Sequence, residues 1–140
     1  MENVEAHWEW IFDGKLANVL QRLKVKIHGT RPANYLDGDY EGQKGRIMGA
    51  VRSGSEFEQT ATVAFESGEQ RSVQMQYIYG VPPSNIGDEA VAIRGLEKGK
   101  LVKLMQKVDD SGEEGMWFVS LVSELVFRSV KGSDMVATWN

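Results

Sequence analysis

The chain of 140 residues contains no cysteine and only two histidines. The absence of cysteine excludes a disulfide framework and any thiolate metal site. The two histidines, His7 and His28, are separated by most of a predicted helix. A metal centre needs several clustered ligands and a triad needs an oriented base, so the pair predicts neither. We therefore expect no catalytic residue, no metal ion and no cofactor.

Long apolar runs are absent as well. No stretch approaches the ~18–20 apolar residues that span a bilayer. Residues 1–5 (MENVE) are acidic and do not have the pattern of a signal peptide. Together with the lack of cysteine, these features predict no membrane partner and a location in the nucleus, with the cytoplasm as the alternative.

The charge balance is acidic, with a formal net charge of −4 and a sequence pI near 5.2. A dedicated nucleic-acid binder is usually basic, so the total argues against nucleic acid as the main partner. The distribution is uneven, however. Residues 94–107 contain five basic residues and one acid, whereas residues 1–21 contain four acids and one lysine. The basic segment is therefore the best candidate for a partner surface.

A glycine-spaced segment occurs twice, at 38–47 (GDYEGQKGRI) and at 95–104 (GLEKGKLVKL), 57 residues apart. Each copy follows an alternating apolar run and leads into another apolar stretch. A repeat of this period predicts two copies of one small unit. The glycines are expected to hold tight turns between strands, where a side chain would strain the backbone. These structural turn glycines are Gly42, Gly45, Gly95 and Gly99.

The remaining pattern divides the chain into a helical segment (1–22) and two barrels (23–81 and 82–140), with the boundary at Val81-Pro82-Pro83. Apolar residues between 4 and 22 follow helical spacing, which predicts a helix that Asp13-Gly14 could split into two. This helix either packs on the first barrel or offers Trp8 and Phe12 to a partner. From residue 23 onward the period is two, and short strands alternate with turns, including turns at 53–55 and 109–115.

Residues 30–38 have no counterpart in the second unit and are predicted to be a loop insertion. With about five strands in each unit, a small closed barrel is favoured over a sandwich, because closure removes exposed edges. The sequence therefore predicts a mainly β fold of two small barrels preceded by a helical segment.

Residues 40–47 (YEGQKGRI) resemble the KOW motif of NusG-type transcription elongation factors and some ribosomal proteins. The second copy is similar, although Val102 stands where the last glycine is expected. The two units with their linker resemble the C-terminal KOW pair of the large subunit of DSIF, the eukaryotic NusG-type elongation factor. The resemblance implies two SH3-like barrels of the KOW or Tudor type. It also implies a non-enzymatic adaptor that binds RNA polymerase, accessory proteins, or RNA or DNA, with a protein as the favoured partner.

The partner surface predicted from the basic residues of the two units has seven members: Lys44, Arg46, Arg94, Lys98, Lys100, Lys103 and Lys107. On a regular strand, Lys103 and Lys107 would share a face with Leu101 and Met105. Such a surface suits a nucleic-acid backbone or an acidic protein, and it could also only solubilise an edge.

An alternative function is that of a Tudor-like chromatin reader that recognises a methylated peptide. Such readers hold the methylated ammonium in an aromatic cage. The candidate cage residues are Phe65, Tyr77, Tyr79 and Trp117, which could equally be core residues.

Overall fold

The computed structural model describes residues 6–51, 59–109, 115–124 and 126–139. Within these ranges the chain forms ten β-strands and several short 3-10 turns, without an α-helix. No helix in the described part is long and apolar enough to cross a membrane. The predicted turn at 53–55 and most of the one at 109–115 lie outside the described residues.

The first barrel is a five-stranded antiparallel sheet in the order β4-β3-β2-β1-β5. Its strands alternate buried and exposed residues, so one face of the sheet forms the core. In β3, for example, Ala61, Val63 and Phe65 are buried and the residues between them are half-buried. A 3-10 turn, Met75–Tyr77, leads into the last strand. The strands are β1 Lys24–Ile27, β2 Lys44–Val51, β3 Thr60–Phe65, β4 Gln70–Gln74 and β5 Ile78–Gly80.

The second barrel has the order β10-β6-β7-β8-β9, which is the order of the first barrel read from the other end. Here too a 3-10 turn, Gly132–Asp134, leads into the last strand. Four consecutive strands form a meander, and the fifth returns beside the first, as in SH3-like barrels. The predicted mainly β fold of two small SH3-like units is confirmed. The strands are β6 Glu89–Ala92, β7 Leu101–Asp109, β8 Met116–Leu121, β9 Val126–Lys131 and β10 Met135–Ala137.

The predicted repeat has the same hydrogen bond in both units. The Gly42 N–H donates to the Ile27 carbonyl, and the Gly99 N–H donates to the Ala92 carbonyl, each at 2.8 Å. Both glycines have positive φ, +79° and +87°. Positive φ strains residues that carry a Cβ atom, which explains why a glycine stands in the turn just before the second strand of both barrels.

Gly45 does not hold a turn, contrary to the sequence-based expectation. It lies inside β2, opposite Val25 on β1 and Phe65 on β3, and its φ is not positive. A Cβ atom at this position would lie 2.5 Å from the Ala64 carbonyl oxygen. Glycine is needed here because β2 and β3 approach each other closely. The equivalent position in the second barrel is Val102.

The insertion in the first barrel is a loop, as predicted, and one carboxylate anchors it. Glu41 accepts hydrogen bonds from the Thr30 N–H (2.8 Å), the Thr30 hydroxyl (2.7 Å) and the Gly29 N–H (3.2 Å). The His28 ring lies 3.1 Å from the same carboxylate. These bonds, those from Thr30 above all, lower the pKa of Glu41 to about 2 because they favour its charged form.

The N-terminal segment is not the predicted helix. The chain breaks at Asp13, as the Asp13-Gly14 signal suggested, because Asp13 is extended (ψ 127°) and its carboxylate accepts from the Lys15 N–H. Trp8 and Phe12 are half-buried and pack against the core of the first barrel, in agreement with the packing alternative. The segment forms three 3-10 turns, at Glu9–Phe12, Gly14–Leu16 and Leu20–Arg22.

The two barrels pack directly on each other. Val91, Ile93 and Val136 of the second barrel belong to the core cluster of the first. The linker residue Val81 donates its N–H to the Lys24 carbonyl (3.0 Å), and its own carbonyl accepts from the Ala137 N–H (2.7 Å). One linker residue is therefore hydrogen-bonded to both sheets.

Candidate functional site

The outer face of β1 and β2 carries four cations in two directly opposed pairs. Lys24 lies opposite Arg46, and Lys26 lies opposite Lys44. The residues that alternate with them, such as Val25, point into the core. Lys26, Lys44 and Arg46 are exposed and Lys24 is half-buried. We call Lys24, Lys26, Lys44 and Arg46 the basic face.

No described carboxylate forms an ion pair with any member of the basic face. The Lys24 side chain lies beside an aromatic ring instead, since its Nζ is 5.9 Å from the centroid of the Trp139 ring. Like charges placed directly opposite each other on a sheet destabilise it, by roughly 0.2–1 kcal/mol per pair. The face is therefore a concentration of positive charge to which no described carboxylate is ion-paired, on an acidic chain.

The second barrel shows that the fold does not require this charge. The positions equivalent to Lys24, Lys26, Lys44 and Arg46 follow from the matching strand registers. Two of them, Val91 and Leu101, are apolar and pack against the core of the first barrel. The equivalent residues, in the same order, are Glu89, Val91, Leu101 and Lys103.

Two of the predicted basic residues are already engaged within the molecule. Lys98 forms a 2.9 Å ion pair with Asp13 of the N-terminal segment. Lys100 lies 2.9 Å from Glu124 and 3.1 Å from Glu97. These carboxylates, Glu124 first, raise the pKa of Lys100. Both cations of the second loop are therefore ion-paired within the molecule, and Lys98 connects this loop to the N-terminal segment.

Lys103 and Lys107 do not share a face, because a β-bulge lies between them. The register of β7 against β8 shifts between Leu104 and Gln106, so Lys107 lies opposite the buried Trp117. The Lys107 Nζ is 5.7 Å from the centroid of that ring. Lys103 remains exposed on the outer face, opposite Ser120. The strand alternation assumed from the sequence is wrong beyond the bulge.

Arg94 lies apart from both groups, at a cleft between the barrels. Its Nη1 donates to the Ser133 carbonyl at 3.0 Å. The cleft has a volume of about 220 Å³, and the rings of His7, Trp10 and Tyr79 form part of its wall. His7 and Tyr79 are stacked with their centroids 3.9 Å apart. Burial lowers the pKa of His7, because it disfavours the charged imidazolium.

The four candidate cage rings lie in different environments. Phe65, Tyr77 and Trp117 are at most 8% exposed, and Trp117 belongs to the core cluster of the second barrel. Among the described residues, no ring contact joins any two of the four. Tyr79 and Trp117 line two different clefts, Tyr79 beside His7 and Trp10, and Trp117 beside Pro82 and Lys107.

Two members of the basic face were not among the predicted site residues. The alternation of Lys24, Val25, Lys26 and Ile27 already predicts a strand with one polar side. The pairing register, which places Lys44 and Arg46 beside these lysines, cannot be read from that alternation. The described residues contain no group of three or more metal-ligating side chains that could hold an ion.

No protein-family model matches this sequence, and no curated protein sequence matches it. Among solved structures, the chain is similar to the SHH1 SAWADEE domain in complex with an H3K9me3 peptide. The identity is 11%, the TM-score is 0.37, and the match covers 84% of this chain and 98% of that one. It is also similar to a selenium-substituted double mutant of the SHH1 SAWADEE domain from Arabidopsis thaliana. There the identity is 14%, the TM-score is 0.32, and the coverage is 81% and 95%.

Proposed function

We propose that this chain is a non-enzymatic adaptor module of two joined SH3-like barrels that binds nucleic acid through its basic face. The observation that carries the proposal is the pairing of Lys24 with Arg46 and of Lys26 with Lys44, none of which forms an ion pair with a described carboxylate. Phosphate backbones need closely spaced cations without fixed geometry, and these four side chains supply them.

The likeness to the KOW pair suggests where such a module would act. We place it with transcription factors of the nucleus, next to RNA polymerase and its nascent RNA. The mechanism is that of an adaptor: the first barrel holds nucleic acid and the second remains available to another protein. No chemical step is required of any residue.

The test is a fluorescence-anisotropy titration of a labelled 20-nucleotide single-stranded RNA between 50 and 200 mM salt. Each phosphate contact with a single strand contributes about −0.7 to the slope of log K against log salt concentration. Four contacts give a slope of about −3 and a fall in affinity of roughly 50-fold over this range. The variant with Lys24, Lys26, Lys44 and Arg46 all changed to Gln should lose nearly all of this dependence.

Single substitutions provide a matched control. Lys26→Gln should reduce the slope by about 0.7. Lys103→Gln removes the same charge from the second barrel, whose described residues form no opposed cation pair, and should leave the slope unchanged. Absence of binding at 50 mM salt, or a slope that the fourfold variant retains, would refute the proposal. Binding of polyglutamate in place of RNA would show that the face recognises an acidic protein.

A second candidate is recognition of a methylated peptide, which the ring-lined cleft between the barrels favours. A methylated ammonium can lie against an aromatic face, and the half-buried ring of Tyr79 lines this cleft. Arg94 lines the same cleft and would repel such a cation, and we rank this function second for that reason. A trimethyl-lysine peptide should then bind more tightly than its unmethylated form, and Tyr79→Ala should abolish the difference. Equal affinities for the two peptides would exclude it.

A further inference from the structure

One of the four tryptophans of the chain does not serve a core. Trp10 and Trp117 are buried in the two core clusters, and Trp8 packs against the first of them. Trp139, which follows β10, is half-buried and packs against neither core cluster of the described residues. The reason for a large ring at this position has to be sought at the surface.

The backbone fixes Trp139 beside the basic face. Thr138 forms a β-bridge with Leu23, and the Trp139 N–H donates to the Arg22 carbonyl at 2.6 Å. The ring consequently lies next to β1, where the Lys24 Nζ is 5.9 Å from its centroid. This distance is at the outer limit of a cation–π contact, so the ring holds the ammonium only weakly.

A second aromatic ring accompanies the other lysine of β1. Tyr79 on β5 is directly opposite Lys26, so the two side chains share the outer face of the sheet. The Tyr79 ring stacks on His7 and meets the exposed His28 edge-on, with centroids 3.9 and 5.5 Å away. Each lysine of β1 therefore has a cation opposite it on β2 and an aromatic ring beside it.

Cations placed next to aromatic rings are the means by which proteins bind single-stranded nucleic acid. The cations contact the backbone phosphates, and bases stack on the rings. A duplex can offer only its phosphates, because its bases are already stacked inside it. Glu66, the carboxylate that follows β3, has its N–H bonded to the Lys44 carbonyl and lies across β2 from Tyr79. The side of the face that carries the rings is therefore its positive side.

We propose that single-stranded nucleic acid lies along β1, with its phosphates at the basic face and one base stacked on Trp139. This inference rests on the proposed function and adds to it the form of the ligand and a residue that selects this form. On binding, the Lys24 ammonium exchanges the Trp139 ring for a phosphate, and the base takes its place on the ring. Every base has a π-face, so the selection is for a single strand and not for a sequence.

The test compares a labelled oligothymidylate with a strand of the same length and charge that lacks all bases. We expect the wild type to bind the oligothymidylate more tightly by about fivefold or more, the effect of one base stacked on an aromatic ring. Trp139→Ala should abolish this preference, and Trp139→Tyr, which keeps a ring, should restore most of it. The matched control is Phe127→Ala, which removes an exposed ring that stacks on Phe118 in the second barrel and should leave the preference unchanged.

Salt dependence separates this inference from the nucleic-acid proposal. Trp139→Ala removes no charge, so it should lower the affinity for oligothymidylate by the same factor at every salt concentration and keep the wild-type slope. Equal binding of the two strands by the wild type, with a steep slope, would overturn the inference and leave the role of the basic face intact. A preference that survives in Trp139→Ala would overturn it as well. Absence of binding to either strand would refute both proposals.

The fold should tolerate the alanine variant. The contacts that Thr138 and Trp139 make with Leu23 and Arg22 are main-chain contacts that do not involve the indole, so the wild-type melting temperature should be kept. A second measurement needs no variant of altered stability. In the wild type, the indole Nε1–H resonance of Trp139 should shift on addition of oligothymidylate and stay in place with the strand that lacks bases. Equal shifts with the two strands would overturn the inference.

Discussion

Replacement of Gly45 by valine tests whether close strand approach, and not a left-handed turn, requires glycine at this position. The Cβ atom would lie 2.5 Å from the Ala64 carbonyl oxygen and 2.8 Å from Val63 Cγ1. Ordinary contact begins near 3.4 Å, so β3 would have to move away by about 0.9 Å. Carbonyl oxygens of a paired strand cannot make this shift without disturbing the β2–β3 ladder. We expect Gly45→Val to reduce stability by about 3 kcal/mol, the upper end of the range for overpacking.

For a chain of this length, 1 kcal/mol corresponds to about 3–4 °C, so the melting temperature should fall by roughly 10 °C. Differential scanning calorimetry measures this directly. Gly49→Val is the matched control, because Gly49 lies in the same strand, has no positive φ and has nothing within 4 Å of its added Cβ. It should be nearly neutral. Equal shifts for the two variants would refute the reasoning from close approach.

Two further predictions concern the loop anchor and the contact between barrels. Glu41→Gln should lower the melting temperature at pH 7, and the difference from wild type should shrink as the pH falls from about 4.5 towards about 2. The reason is the depressed pKa of Glu41: its hydrogen bonds stabilise the fold above this pH range and are lost when the carboxylate is protonated. Replacement of the exposed Glu66 by Gln should show neither effect in the same melting experiments. Gly80→Val places a Cβ 2.5 Å from Val136 Cγ2 of the other barrel. The single calorimetric transition should therefore move to a lower temperature and become broader. Gly14→Val should leave the transition unchanged, because nothing lies within 4 Å of the added Cβ.

The repeat was the most reliable information in the sequence. The spacing between Gly42 and Gly99 predicted two equivalent barrels, and both glycines occupy equivalent turns. The pattern over 4–22 misled because a helix and a chain of 3-10 turns bury similar residues. Ile11 and Leu16 are buried in either case, and only the break at Asp13 hints at the difference.

The candidate sites were less predictable, because each depends on how strands pair. Lys44 and Arg46 could be identified from the motif, but the register with β1 decides that they face two more lysines. The bulge beside Met105, which separates Lys103 from Lys107, leaves no clear trace in the sequence. Strand alternation places Phe118 on the face opposite Trp117 and Val119, but only the pairing register brings it beside Phe127.

The double hydrogen bonding of Val81 has a geometric consequence for any assembly built on this chain. One residue takes part in the ladders of both sheets, through Lys24 on one side and Ala137 on the other. A turn of one barrel relative to the other would break one of these bonds. Ligands bound to the two barrels would consequently be held at a fixed distance and in a fixed orientation relative to each other. A target whose two binding elements match this distance would bind both barrels at once and therefore tightly. A target whose elements are too far apart or too close together would lose this gain in affinity.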